Sequence, residues 1–265
     1  MDLKNFKENG YILKKKLLND EQVKNMLNHL DKFNDFSEKD YEPCSKIPYI
    51  YDKILEDKDS PFYDIINDDF IKNISNDVLE YESRFSFLKV NNKSKYIGQD
   101  ICYHQEFAVS KYQGLKENDS IQIFVALEPH TLENGCLKII EKSHKYGEIE
   151  HEDFFDPNYN HKLRVPYEIM EDLTNKYNLK NCILEPGDCL IFNQFLVHGS
   201  NSNKSQYGRK AIVGWIVRND FIFDEKKNKE FWKKRQEITL NSLESKIKMV
   251  KDKLNTFSTG MKLLK

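Results

Sequence analysis

Histidines and carboxylates at short spacing are where this chain could do chemistry. Tyr103-His104-Gln105-Glu106 sets an imidazole and a carboxylate two residues apart. On a strand, residues i and i+2 share a face, so His104 and Glu106 are expected to converge on one point. A further donor lies in the stretch Glu185 to Val213. There Pro186-Gly187-Asp188 signals a turn, Pro presetting φ and Gly accepting the positive φ that follows. Cys189 to Val197 then reads as one apolar strand ending at His198. Gly199 to Gly208 is a polar loop, and Arg209 opens another strand through Val217. Two imidazoles and one carboxylate, with open positions left, suit a non-haem Fe(II) centre. Arg209 stands at the neighbouring strand end with Ser200 between it and His198, and in a Lys-rich chain its planar fork hints at a need that Lys would not serve.

The elements around these residues read as helices first and strands later. Leu3 to Glu8 predicts a short helix closed by Gly10, and Tyr11 to Leu13 a brief strand. Asn19 with Gln22 three residues on resembles a capping box, and Val23, Met26, Leu27, Leu30 and Phe33 follow helical spacing. Residues 34–60 are polar, carry Pro43 and Pro48, and read as a loop or flap. Ser60-Pro61 starts a helix whose buried stripe is Phe62, Ile65, Ile66, Phe70 and Ile74. Phe85 to Val90 predicts a strand, and Ile121 to Leu127 is a nearly continuous apolar one. Asn134-Gly135 predicts a hairpin, with Cys136 to Ile140 as the return strand. Several short strands at turn-rich spacing point to a sandwich or barrel.

Two segments break that rhythm. Residues 147–181 contain Asp156-Pro157-Asn158 and a helix from Pro166 to about Tyr177; lying between the strands of His104 and His198, they either border the mouth of the site or make a surface excursion. In the tail, Leu240, Leu243, Ile247, Val250 and Leu254 follow 3-4 spacing on a charged helix. It is expected to pack on its own barrel or, second, to form a homodimer seam.

Composition bounds the rest. With 265 residues, 39% hydrophobic and 12% aromatic content, the chain can bury a core. A net charge of −2 gives no reason to expect nucleic acid or an anionic membrane as partner. No apolar run approaches ~18 residues, so no transmembrane helix is expected. The charged N-terminus lacks a signal-peptide core, which predicts a cytoplasmic protein. The cysteines at 44, 102, 136, 182 and 189 are scattered, and read as buried small hydrophobes in a reducing compartment.

In order along the chain stand Phe6…Gly10-Tyr11-Ile12-Leu13, His104-Gln-Glu106, Glu133-Asn-Gly-Cys-Leu137…Ser143-His144-Lys145, and Pro186-Gly-Asp188…His198-Gly-Ser200…Arg209. This ordered set resembles the phytanoyl-CoA dioxygenase family of Fe(II)/2-oxoglutarate-dependent oxygenases. The family usually has Asp where this chain has Glu106. The resemblance implies a mainly β fold with flanking helices: a double-stranded β-helix, the cupin-like jelly roll, with N-terminal helices and a C-terminal amphipathic helix. One domain over 1–265 is expected, with its core at about 85–220 and an extension at about 224–265. The resemblance also implies His104, Glu106 and His198 as iron ligands, and 2-oxoglutarate as co-substrate gripped by Arg209 and Ser200. O2 would be consumed and a small, polar molecule hydroxylated. The retained carboxylate at 106 favours hydroxylation over halogenation. A cupin-like barrel that binds a metal or ligand without catalysis is the alternative. His29, His130, His144, His151 and His161 are read as non-ligands, and Lys89 as solvated. Gln105 and Gln122 face the pocket or turn away according to strand register. Residues 108–120 are expected to border the pocket and to favour a polar substrate.

Overall fold

The computed structural model describes residues 2–31, 49–50, 58–96, 98, 100–154 and 163–238. They fall into two units: residues 1–111 with 115–222, and residues 112–114 with the segment from 223 on.

The first unit opens with α1 (Asp2–Asn9). Gly10 stops it at φ +86°, its N–H donating to the Phe6 carbonyl (2.8 Å). A Cβ at Gly10 would run into the His144 ring, so this glycine provides both the turn and the packing space. After β1 (Tyr11–Lys14), α2 (Asp20–Asp31) begins with a reciprocal capping box. Gln22 N–H donates to Asn19 Oδ1 (2.9 Å), and Asn19 N–H to Gln22 Oε1 (3.0 Å). Beyond β2 (Tyr49–Ile50), two helices stand where the spacing predicts one from Pro61: α3 (Tyr63–Ile66) and α4 (Asp69–Leu79). Asp68 is the reason. Its carboxylate accepts the Ile71 N–H (2.9 Å), which caps a new helix and ends the old one.

Two antiparallel sheets follow. Among the described residues the larger runs β1–β10–β5–β12–β3–β2, with β3 (Ser83–Lys93), β5 (Ser120–Ala126), β10 (Cys189–Asn193) and β12 (Arg209–Arg218). The smaller runs β4–β11–β6–β9, with β4 (Ile101–His104), β6 (Leu137–Ile140), β9 (Leu179–Asn181) and β11 (His198–Ser200). Outward-facing Ile121, Ile123, Val125, Cys189, Ile191, Ile212 and Ile216 of the large sheet pack against α2 and α4 in one core. Inward-facing Phe124, Ala126, Leu190, Phe192 and Ala211 meet Leu137 and Ile139 of the small sheet in another. Sheets that face each other over a shared core, with successive strands passing between them, make the double-stranded β-helix.

That passage corrects two readings of the sequence. Cys189 to Val197 is not one strand: β10 ends at Asn193. The Asn193 side chain accepts the Phe195 N–H (2.8 Å) and its carbonyl the Leu196 N–H (2.9 Å), turning the chain into the opposite sheet. Nor does Asn134-Gly135 close a hairpin, because β5 and β6 lie in different sheets. Gly135 (φ +74°) instead brings the backbone so close to Asn201 that no Cβ would fit.

Between the sheets' strands the chain also forms α5 (Phe107–Ser110), the pair β7 (Glu152–Asp153) and β8 (Leu163–Arg164), and α6 (Tyr167–Lys176). Ile149, Val165 and Leu173 pack with Ile140, Val197 and Tyr103. Since Tyr103 points opposite to His104, these contacts lie on the outer face of the small sheet, while Phe154, Arg164 and Tyr167 of the insert line a cavity with Ser200.

In the second unit, residues 225–238 form a helix, α7. Phe231 stacks on Tyr112 at 4.1 Å between ring centroids, and Asp224 N–H donates to the Gln113 carbonyl (2.9 Å). No helix among the described residues is long and apolar enough to cross a membrane. Cys102, Cys136, Cys182 and Cys189 are buried free thiols. The 34–48 and 51–57 parts of the expected loop, Cys44, the Asp156-Pro157-Asn158 turn, His161 and the Leu240–Leu254 heptad positions lie outside the described residues.

Candidate metal centre and anion pocket

β4 and β11 are antiparallel neighbours, with His104 and His198 as direct partners, so the imidazoles stand side by side at 4.3 Å between centroids. Each ring is fixed by the carbonyl two residues before it. His104 Nδ1 donates to the Cys102 carbonyl (2.7 Å), and His198 Nδ1 to the Leu196 carbonyl (2.9 Å). A carbonyl can only accept, so both rings carry their proton on Nδ1 and turn the Nε2 lone pair inward. Burial, and then His198 alongside, push the pKa of His104 down, which keeps that lone pair available.

Glu106 completes the group, though not by strand alternation. β4 ends at His104, and Glu106 has helical φ and ψ (−61°, −31°) at the start of α5. Its Oε1 lies 3.6 Å from His104 Nε2 and 3.3 Å from His198 Nε2. One ligand atom from each of the three residues falls within 4.8 Å of the others. Three lone-pair donors facing one another make an arrangement that a divalent cation stabilises.

Gln105, between these donors, turns away from them. Its Nε2 donates to the carbonyls of Gly147 and Phe195 (both 2.8 Å), and its Oε1 accepts the Ile149 N–H (2.9 Å). Its backbone N–H donates to His151 Nε2 (2.9 Å), while His151 Nδ1 donates to the Ile149 carbonyl (2.7 Å). His151 must therefore be neutral; burial lowers its pKa to about 4. Ser143 Oγ accepts the Val197 N–H (2.8 Å) and steadies the turn before His198. His144 is a packing residue under Gly10. Asp188 is structural too: its carboxylate takes the N–H groups of Lys16 (3.0 Å) and Glu185 (2.9 Å) and the ammonium of Lys15 (2.6 Å).

A second constellation lies further along β11. Lys93 and Arg209 are direct partners across β3 and β12, and both are buried, at 0% and 1% exposure. Lys93 Nζ donates to Ser200 Oγ (2.7 Å) and to the Asn201 carbonyl. Arg209 Nη1 donates to the Gly135 carbonyl (2.6 Å), and its Nε has no partner. Phe124 lies under the guanidinium at 5.5 Å. Among the described residues no carboxylate comes within 4.0 Å of either cation. Burial, and then Arg209, hold the Lys93 pKa well below the lysine range, and burial lowers Arg209 to about 10. His130, edge-on to Phe124 (5.3 Å), is kept neutral first by burial and then by Arg209.

Sequence reasoning named Arg209 and Ser200 and missed Lys93. The signal was the pairing of β3 with β12: once Arg209 is opposite Lys93, strand alternation turns both inward. Lys89 shares that face and lies 5.6 Å from the Phe87 ring, so it is not simply solvated. The 108–120 segment is less polar inside than its composition suggests. Phe107 packs on Phe195 (4.8 Å) and Leu115 on Trp215, while Lys116 and Glu117 are exposed.

Comparison with known proteins adds to this geometry. The family described as phytanoyl-CoA dioxygenase (PhyH) matches residues 6–211. Human peroxisomal phytanoyl-CoA dioxygenase is 23% identical over 230 residues, covering 78% of this chain and 64% of that protein. The bovine protein is 30% identical over 95 residues, covering 36% and 27%. The chain thus spans about a quarter to under two thirds of the lengths of these relatives. L-proline trans-4-hydroxylase of Streptomyces griseoviridis is 27% identical over 136 residues, covering 47% and 51%. Among solved structures, EctD from S. alaskensis with 2-oxoglutarate and 5-hydroxyectoine superposes at a TM-score of 0.67 with 20% identity, covering 84% of this chain and 77% of that one. The epimerase SnoN from nogalamycin biosynthesis does so at 0.63 with 15% identity, covering 82% and 81%.

Proposed function

The chain belongs to the phytanoyl-CoA dioxygenase family, and we propose that it is an Fe(II)- and 2-oxoglutarate-dependent oxygenase hydroxylating a small, polar molecule. The observation that carries this reading is the pairing of two unlike sites on one short strand. β11 bears His198 of the three-donor cluster at one end and Ser200 of the two-cation pocket at the other.

Both groups fit the residues present. Two imidazole nitrogens with Nδ1 already committed and one carboxylate form a donor set for iron(II). The buried pair Lys93 and Arg209, with one guanidinium nitrogen unpartnered, calls for an anion, which the distal carboxylate of 2-oxoglutarate supplies. When bound, iron and 2-oxoglutarate together supply dioxygen activation, one oxygen atom ending in succinate and the other in the product. His104, Glu106 and His198 hold the metal; Arg209 and Lys93 hold the carboxylate. Ser200 accepts from Lys93 and keeps its own hydrogen to donate. Phe192, edge-on to His198 at 4.9 Å, helps keep water from the reacting side. A cytoplasmic location goes with this reading, since four buried thiols stay free there.

The test is anaerobic titration of metal-free protein with Fe(II) and 2-oxoglutarate, following the visible metal-to-ligand charge-transfer band. The band is expected in the wild type, lost in His198→Ala and weakened in Arg209→Ala. No band from folded protein with iron in excess would favour the non-catalytic barrel.

A further inference from the structure

We infer that Gln122 reads the substrate, selecting a small molecule that presents a hydrogen-bond donor beside an acceptor, as a lactam or primary carboxamide does. The inference rests on the oxygenase reading and adds a specificity-determining residue to the same site.

Alternation on β5 sends Ile121, Ile123 and Val125 outward and Gln122, Phe124 and Ala126 inward. Gln122 is fully buried, and neither its Oε1 nor its Nε2 has a hydrogen-bond partner. Its neighbours across the sheet are Phe192 on β10 and Trp215 on β12, and Trp215 is in turn opposite Phe87. Phe192 touches the His198 ring, so this amide stands one side chain away from the metal donors.

The other two fully buried glutamines among the described residues show what a structural glutamine looks like in this fold. Gln105 uses both side-chain atoms to pin 147–149 and Phe195. Gln194 accepts from Ser120 Oγ (2.7 Å) and donates to the Lys116 carbonyl (3.0 Å). Gln122 pins nothing. Leucine would fill nearly the same volume without burying two unpaired polar atoms, so the amide is a cost to the fold alone. A ligand offsets that cost if it supplies both missing partners. A primary amide carries N–H donors beside a carbonyl acceptor, and so closes a two-bond ring with a group offering one of each. The aromatic side chains of Phe87, Trp215 and Phe192 in the same row give such a planar group apolar surface on either side. A ketone or ester of the same shape has no N–H, and would leave the Gln122 carbonyl unpaired.

Saturation-transfer NMR tests this with zinc(II), an inert stand-in for iron, and 2-oxoglutarate on the protein. The probe 2-piperidone is set against cyclohexanone and δ-valerolactone. Ligand-free wild type and Gln122→Leu are melted in parallel. The wild type should bind 2-piperidone at least about tenfold more tightly than either ring lacking N–H, and Gln122→Leu should lose the preference. The ligand-free variant should melt about 3 °C or more above the wild type, because two unpaired polar atoms are gone. A variant that melts lower, or a wild type with no preference for 2-piperidone while the 2-oxoglutarate signal is present, overturns the proposal. Absence of the 2-oxoglutarate signal itself counts against the oxygenase reading, and the melting comparison then decides Gln122.

Discussion

The metal centre and the anion pocket share strand β11 yet are built on opposite electrostatic plans. At the centre, the donors are held ready by the backbone: Glu106 lies beside two imidazoles, and each ring is pinned by the carbonyl two residues before it. In the pocket, Lys93 and Arg209 stand face to face in the interior with no carboxylate within 4.0 Å among the described residues, and Ser200, Asn201 and Gly135 satisfy part of their hydrogen bonding. The first site is preorganised by backbone hydrogen bonds that do not depend on the metal. The second stores unfavourable energy that an anion releases. A protein so built should bind its co-substrate tightly and be less stable without it.

The largest effect expected on this contrast is at the centre. Glu106→Ala removes the carboxylate of the three-donor cluster and should lower metal affinity at least about a hundredfold, measured by metal content after dialysis. Its thermal stability without metal should change far less, because the imidazoles keep their carbonyl partners. In the pocket the balance should invert. Lys93→Met should raise the 2-oxoglutarate Kd roughly 10–100-fold, equivalent to about 1.5–3 kcal/mol. The same change should make the ligand-free protein more stable by about 1–3 kcal/mol in urea unfolding, since a buried uncompensated charge is gone. If Lys93→Met destabilised the free protein, the opposition between the two sites would collapse.

The sequence carried the first plan better than the second. His104, Glu106 and His198 are chemically distinctive and sit beside turn signals, so their types and order point to a metal before any geometry is known. Lys93 is one lysine among many, and nothing local marks it. Only the pairing of β3 with β12, set by contacts across the whole barrel, shows that it is buried opposite Arg209. The same limit explains the misread strands. Cys189–Val197 is apolar apart from Asn193 and Gln194, and that polar pair marks the turn between sheets, a signal that the hydrophobic residues on either side mask. Even the right convergence of His104 and Glu106 came from strand alternation, whereas the chain reaches it through the first turn of α5.

The smallest effect expected is acid sensitivity beside the centre. His151 accepts the Gln105 N–H and has its pKa lowered to about 4 by burial. Between the ordinary histidine pKa of about 6.5 and that value, the unfolded chain takes a proton that the folded one refuses. Stability should therefore be full above this window and fall as pH drops through it, by about 1–3 kcal/mol. His151→Gln keeps an acceptor for Gln105 without titrating. Urea midpoints at pH 7, 5.5 and 4.5 should fall less steeply in that variant than in the wild type.

The turn at Asn193–Val197 has a consequence for the order of assembly. His198 is brought to His104 by the crossing that follows β10, so the two imidazoles meet across a loop that spans much of the jelly roll. Contacts between such distant parts of a chain form late, once the intervening strands have already given up their freedom. A nascent chain emerging from the ribosome holds His104 and Glu106 long before it holds His198, and through that interval it has no complete set of donors. Until His198 is made and brought across, the metal has no complete site on this chain.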